Sequence, residues 1–370
     1  MRAMRTLLVT SALVLLATSA WARPRARDLG VPFDGTPGAG NSITDVAGVE
    51  VGHTTLISGA GAAAVRTGVT AVLPRGRKSQ DPVFGGWFTQ NGNGEMTGTT
   101  WLAEGGFLEG PVMITNTHSV GVVRDAVIKW RIDRGFSGEY PWSLPVVAET
   151  WDGYLNDING FHVTAEHAFQ ALDHAASGPV AEGSVGGGTG MVCHELKGGI
   201  GTSSRKVGAY VVGVLVQCNY GLRRQLRVAG VPVGRDLPDG TFRKENGSII
   251  VVIATDAPLL PHQLTRIARR ASMGVARNGG VAGNGSGDIF IAFSTANPGA
   301  SNEEHEVSVR MLPNEKLDPY FEATVQATEE AIINALVAAD TMEGFDGHKV
   351  VALPHDRLRQ LLKQSGRLAR

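Results

Sequence analysis

The chain has 370 residues, 42% of them hydrophobic, and a formal net charge of −1. That length is enough to bury the core of one large domain or two smaller ones. The balanced charge argues against nucleic acid or an anionic membrane surface as the main partner.

The first residues read as an address. Arg2 and Arg5 precede an apolar stretch, residues 6–17, that is too short for an ordinary spanning helix. Ala20-Trp21-Ala22 has the small-x-small form of a cleavage site. A secretory signal over residues 1–22, cleaved before Arg23, is expected, and with it a periplasmic or secreted protein; an uncleaved anchor is the alternative. No later segment reads as transmembrane. The two cysteines, Cys193 and Cys218, sit in apolar surroundings and fit either a disulfide or buried free thiols.

From about Ser42 the chain alternates strand-like and helix-like segments. Residues 49–55, 70–73 and 112–115 are predicted strands. Residues 119–135 are helical, with Val123, Val127 and Trp130 on one face. A short strand follows at 146–149 and a helix closes at Gly178. The valine-rich runs 206–217 and 248–254 read as central strands. Residues 235–246 read as an exposed loop, and residues 261–280 as a helix with a solvated arginine face. Residues 288–294 and 306–312 are predicted to pair as a hairpin. A helix then starts at Asp318-Pro319 with a good cap and Pro in the first turn. Phe321, Val325, Thr328, Ile332 and Leu336 line its inner face, and a short basic helix ends the chain. The pattern is mixed α/β, with helical layers enclosing sheet.

The chemistry centres on "VAGNGSGDIFIAFSTAN", where Ser286 stands between two glycines at a loop-to-strand junction. A serine hydroxyl is a poor nucleophile without a base in reach. A G-x-S-x-G elbow is absent, because Asn284 and Asp288 occupy the positions that need glycine. Scission of the Gly285–Ser286 bond would make Ser286 a chain terminus. Its α-amine, with a reference pKa near 8, is then a general base on the same residue as the hydroxyl. The plain alternative is a tight loop entering a core strand.

The stretch "NGSGDIFIAFSTANPG" resembles the signature of the L-aminopeptidase/D-esterase family, peptidase family S58/P1, which includes the β-aminopeptidases. "ITDVAGVEVGHTT", "PVMITNTHSVGVVRDAVIKW", "VVAETWDGYLNDING", "GGGTGMVCHELKGGIGTSSR", "IATDAPLLPHQLTRIARRA" and "ATEEAIINAL" resemble it too, in the same order. The resemblance implies a four-layer αββα sandwich of the N-terminal-nucleophile-hydrolase type. It implies a single domain, residues 23–370, self-cleaved into an α chain 23–285 and a β chain 286–370 that stay associated and form oligomers. It implies release of N-terminal L-α-, D- or β-amino acids from peptides, amides and esters.

Asn219, just past a predicted strand, matches a family oxyanion donor, although an Asn-Tyr-Gly turn explains it as simply. Tyr154 matches a tyrosine-bearing family segment, or is a core tyrosine. If the expected hairpin forms, Asn314 and Glu315 return beside Ser286, which makes Glu315 the candidate for the proton relay. Thr328 with Glu330 is the runner-up; there the threonine reads more simply as core and the glutamates as a solvated face. Glu149 suits an anchor for the substrate ammonium, or is an ordinary turn residue. The glycine-rich stretch lacks phosphate-loop spacing because Gly198 follows Lys197. His162, His167 and His174 cluster, but there is no H-E-x-x-H and no cysteine pair with metal spacing. No metal and no cofactor is expected. Two rival readings are an acyltransferase of the ornithine acetyltransferase type, which commonly uses threonine, and an uncleaved exported small-ligand-binding protein.

Overall fold

The computed structural model describes residues 23–136, 142–237, 247–302 and 304–369. The expected leader, 1–22, and residues 238–246 of the expected loop lie outside them. The strands are β1 (Glu50–Ser58), β2 (Val65–Leu73), β3 (Val83–Gly92), β4 (Phe107–Leu108), β5 (Val112–Asn116), β6 (Val146–Thr150), β7 (Val192–Cys193), β8 (Leu196–Lys197), β9 (Gly199–Val207), β10 (Tyr210–Asn219), β11 (Ser248–Thr255), β12 (Gly287–Ser294), β13 (Met342–Glu343) and β14 (Lys349–Val350). The helices are α1 (Thr99–Gly105), α2 (Val120–Asp133), α3 (Ala165–Asp173), α4 (Pro261–Arg277), α5 (Asp318–Val337) and α6 (His355–Gln364).

Two sheets carry the architecture. One has the order β1-β2-β5-β6, the other β4-β3-β12-β11-β10-β9. They face each other through one apolar layer, in which Val72, Ile114 and Ala148 meet Ile250, Val252, Ile289 and Ile291. Helices α2 and α3 cover the outer face of the smaller sheet, with Val123, Val127, Ala168 and Leu172 packed on Val69, Met113 and Val147. Helices α4 and α5 cover the larger sheet, with Leu264, Ile267, Ala327 and Ala331 packed over Val214, Val251 and Phe290. This is the expected αββα sandwich. Central strands are buried on both faces, which is why β11 and β12 read as nearly unbroken apolar runs.

Three differences from the sequence reading have physical causes. The run 206–217 is not one strand: β9 and β10 pair antiparallel around Gly208, at φ +60°. Strand β3 was not anticipated because Gly85-Gly86 interrupts its apolar pattern. A Cβ on Gly86 would come within 2.4 Å of the Thr265 nitrogen, so glycine is what lets α4 lie against β3. The hairpin of 288–294 with 306–312 does not form. β12 pairs instead with β11, parallel, and with β3, antiparallel. Residues 306–312 belong to no strand, and Val307, Val309 and Met311 are exposed.

Candidate active site

Ser286 directly precedes β12 and is fully buried. Its N–H donates to the Gly283 carbonyl at 2.8 Å, closing a turn over Asn284 and Gly285. Its Oγ donates to Asp288 Oδ1 at 2.6 Å, two residues into the strand and also buried. The neighbouring Gly287 N–H donates to Ser248 Oγ at 3.1 Å, at the start of β11.

The end of β3 lies over this junction. The β3–β12 register slips between Asp288 and Ile289, so that Asn91 opposes Asp288 while Thr89 opposes Ile289. This bulge redirects the strand end and places two asparagines on the loop before the serine. Asn91 Nδ2 donates to the Gly283 carbonyl at 2.6 Å. Asn93 Nδ2 donates to the Gly285 carbonyl at 2.8 Å, and the Asn93 N–H to the Ser286 carbonyl at 3.3 Å. Asn93 thus holds the carbonyls on both sides of the Gly285–Ser286 linkage.

The chain next crosses to the smaller sheet, where Glu149 of β6 is buried. One Glu149 oxygen accepts the Glu95 N–H at 3.1 Å and the other accepts the Thr117 hydroxyl. Burial pushes the Glu149 carboxyl above the usual carboxylate range, against the opposing pull of these hydrogen bonds. A Cβ on Gly94 would lie 3.2 Å from Glu149 Oε1 and 3.1 Å from the Gly287 Cα. A side chain there would crowd both the carboxylate and the start of β12, so the bare backbone of Gly94 is what lets Glu149 lie this close to the residue after Ser286.

Asn219 ends β10 and opposes Ser248, which opposes Gly287. Two strand spacings, about 10 Å, separate it from β12. Its Oδ1 accepts the Val192 N–H at 2.7 Å and its Nδ2 donates to the Trp151 carbonyl at 2.9 Å. Cys193 and Cys218, open in the sequence, form a disulfide with Cα atoms 5.6 Å apart, next to both partners of the first bond. Tyr154, in the loop after β6, stacks on His348 with ring centroids 4.3 Å apart. Asn219 is thus tied to the Trp151–Tyr154 loop, and the Ser286 hydroxyl donates to Asp288 in this uncut chain.

Glu315 is not brought to Ser286. It lies exposed in the turn Asn314–Lys316. That segment is tied to the other end of the strands: Leu312 N–H donates to Pro258 O at 2.9 Å, and Gln263 Nε2 to Asn314 Oδ1 at 3.0 Å. β11 and β12 run parallel from Ser248 and Gly287 to Thr255 and Ser294, so this end is about 20 Å away. The reason is the missing hairpin. Thr328 is core, as its simpler reading has it, with Oγ1 donating to the Thr324 carbonyl at 2.8 Å. Glu330 is not on a solvated face; it is fully buried and paired with Arg205 at 2.7 Å and Arg27 at 2.7 Å. Those arginines hold its carboxyl below the usual range despite burial.

The glycine-rich stretch is structural. Lys197 is fully buried and donates to the carbonyls of Met191 at 2.9 Å and Gly198 at 2.8 Å. Among the described residues, no three His, Cys, Asp or Glu side chains gather as a metal site, and no helix is long and apolar enough to cross a membrane. Sequence reasoning missed Asn91, Asn93 and the role of Asp288. The available signal was Asn-Gly-Asn-Gly at the end of a strand that was itself not recognised.

Comparison with known proteins gives a consistent picture. Residues 41–350 match the model of peptidase family S58. The beta-peptidyl aminopeptidase BapA of Sphingosinicella microcystinivorans is 58% identical over 96% of each chain, and that of Sphingosinicella xenopeptidilytica 48% identical over 96% of this chain and 95% of its own. The L-aminopeptidase D-Ala-esterase/amidase of Ochrobactrum anthropi, a serine aminopeptidase with a variant Ntn hydrolase fold, superimposes with a TM-score of 0.89. It is 50% identical over 94% of this chain and 100% of that one.

Proposed function

Since this chain belongs to peptidase family S58 and is a hydrolase with aminopeptidase activity, we propose that it cuts itself between Gly285 and Ser286 and then works through the new terminus. The cut leaves an α chain ending at Gly285 and a β chain beginning at Ser286. The Ser286 hydroxyl attacks the carbonyl of the substrate's N-terminal residue. The Ser286 amine takes up the proton and returns it to the leaving group. Asn219 and Tyr154 hold the oxyanion, and the buried Glu149 carboxylate receives the substrate's ammonium group. Water then releases the amino acid from the ester.

The observation that supports this reading best is the junction itself. A buried serine follows a tight turn at the start of a central strand, with a carboxylate behind a single glycine. The relatives named for β-peptidyl substrates make N-terminal β-amino acids the favoured class. The disulfide supports an exported location, since such bonds persist in oxidising compartments. The exposed apolar run Val307, Val309 and Met311 supports association of αβ pairs into an oligomer.

Denaturing electrophoresis and mass spectrometry test the cut. Active wild-type protein should give two unequal fragments, the smaller beginning Ser-Gly-Asp-Ile. Ser286→Ala should remain one inactive chain. Normal processing of that variant would overturn the mechanism. Release of amino acid from L-α-, D- and β-aminoacyl p-nitroanilides then orders the substrate classes, and hydrolysis of only the L-α set would overturn the β-amino acid assignment.

A further inference from the structure

We propose that Asp288 and Asn93 perform the chemistry of the cut itself, Asp288 as proton acceptor and Asn93 as oxyanion donor of the uncut chain. The inference rests on the reading that the chain is processed at Gly285–Ser286. It assigns to that event two residues that the peptidase reaction described above does not use.

The α-amine that serves the mature enzyme does not yet exist in the precursor, because the Ser286 nitrogen is still an amide. Another base must take the hydroxyl proton. The Ser286 Oγ gives its hydrogen bond to Asp288 Oδ1, at 2.6 Å. Both side chains are buried, so the contact is shielded from water. The backbone geometry is equally specific. The carbonyl that must be attacked is that of Gly285, and it accepts Asn93 Nδ2 at 2.8 Å. Asn93 is itself exposed, so its amide had water as a partner. Its engagement with this one carbonyl is not needed to satisfy a buried group. The Asn93 N–H and the Asn91 side chain hold the flanking carbonyls of Ser286 and Gly283. The linkage is thus fixed on both sides while its own carbonyl is polarised.

Asp288 takes the proton from Ser286 Oγ while Oγ bonds to the Gly285 carbonyl carbon, closing a ring of Oγ, Cβ, Cα, N and C. The negative charge that develops on the Gly285 oxygen is met by Asn93 Nδ2. The bond from that carbon to the Ser286 nitrogen then breaks. The nitrogen receives the proton held by Asp288 and becomes an amine, leaving Gly285 joined to Oγ as an ester. Water adds to the ester carbonyl and the ester oxygen leaves with a proton. The products are a Gly285 carboxyl group and a free Ser286 hydroxyl.

The test follows freshly synthesised full-length chains over time by denaturing electrophoresis and mass spectrometry, with and without hydroxylamine, which captures an ester at Gly285 as a hydroxamate. Wild type should cut and show the hydroxamate mass. Asn93→Ala, at an exposed position, should keep its thermal midpoint and cut more slowly by about a hundredfold to a thousandfold, as for loss of one oxyanion donor. Asn93→Asp, similar in shape but lacking the donor when ionised, should be equally slow. Asp288→Asn should stay intact even with hydroxylamine, because no ester forms. If this last variant does not fold, Asp288→Ser, which also lacks the carboxylate, takes its place for Asp288, and the two Asn93 variants decide the role of Asn93. Cutting of Asn93→Ala or of folded Asp288→Asn at the wild-type rate overturns the role of that residue. A wild-type chain that stays whole overturns the processing reading and this inference together, an outcome distinct from wild type cutting while the variants match it.

Discussion

Asn219 accepts the Val192 N–H at 2.7 Å, and the residue after Val192 is bridged by a disulfide to the residue before Asn219. The hydrogen bond and the covalent link form one clamp on the end of β10. It fixes where the Asn219 amide points.

If that amide is an oxyanion donor, Asn219→Ala should lower kcat by about a hundredfold to a thousandfold. The double variant Cys193→Ser/Cys218→Ser keeps the amide but loosens the clamp. Its kcat should fall about tenfold with little change in KM, since small misplacements of a catalytic group are costly. Steady-state kinetics on purified, processed protein checks both. Unchanged kcat in the double variant would show that β10 holds the amide unaided.

Glu149 is proposed to pair with a charged substrate amine. Glu149→Gln keeps the shape and removes the charge, so KM should rise about tenfold to a hundredfold, the worth of a charge-assisted hydrogen bond. Substrates whose amine is acetylated should lose this discrimination. Competition between free and acetylated ligands in wild type and variant provides the measurement.

His194 is fully buried and His53 is half-buried with its Nε2 shielded from solvent, and desolvation pushes each down to about 4 from an ordinary 6.5. Both are neutral in the folded protein at neutral pH. The folded values lie below the unfolded ones, so the stability they contribute is present above pH 6.5 and is lost as pH falls through about 4. The loss should be on the order of 3 kcal/mol for each histidine. Denaturant titrations at pH 7 and pH 4 should show it, and His53→Gln should shrink the difference.

Asp152 behaves in the opposite sense. Burial pushes its carboxyl up to about 7 from 3.8, against hydrogen bonds from Thr67, Asn156 and Asn116. A folded value above the unfolded one gives stability that is complete below pH 3.8 and is lost as pH rises through about 7. Asp152→Asn should remove this alkaline loss. Thermal midpoints of the variant, compared with wild type between pH 5 and pH 8, should gain relative to it as pH rises.

Much of the architecture was legible because buried strands announce themselves. β11 and β12 are apolar in sequence since both their faces are covered. Ser286 stood out because glycines flank it where a loop meets such a strand. What failed was pairing. Val307, Val309 and Met311 alternate as a half-buried strand would, yet the segment lies exposed. Periodicity describes what a backbone is able to do, not which neighbour it finds, and the misplacement of Glu315 followed from that. Glu330 looked solvated beside Glu329 because its partners, Arg27 and Arg205, are distant in sequence. Asn93 was invisible for the same reason: it meets Gly285 across 192 positions.

β12 is the third of six strands in its sheet, held by β3 on one side and β11 on the other, and α5 lies across β9 and β10. The portion after Ser286 therefore supplies the centre of one layer and much of its cover. Severing the linkage ahead of it would release no free piece, because every non-covalent tie remains. It also fixes an order in time. The Asn93 contact exists only once β3 has docked, so under the proposed role of Asn93 assembly precedes scission, and a denatured mixture of two such pieces would have to rebuild that arrangement without the connection that first guided it.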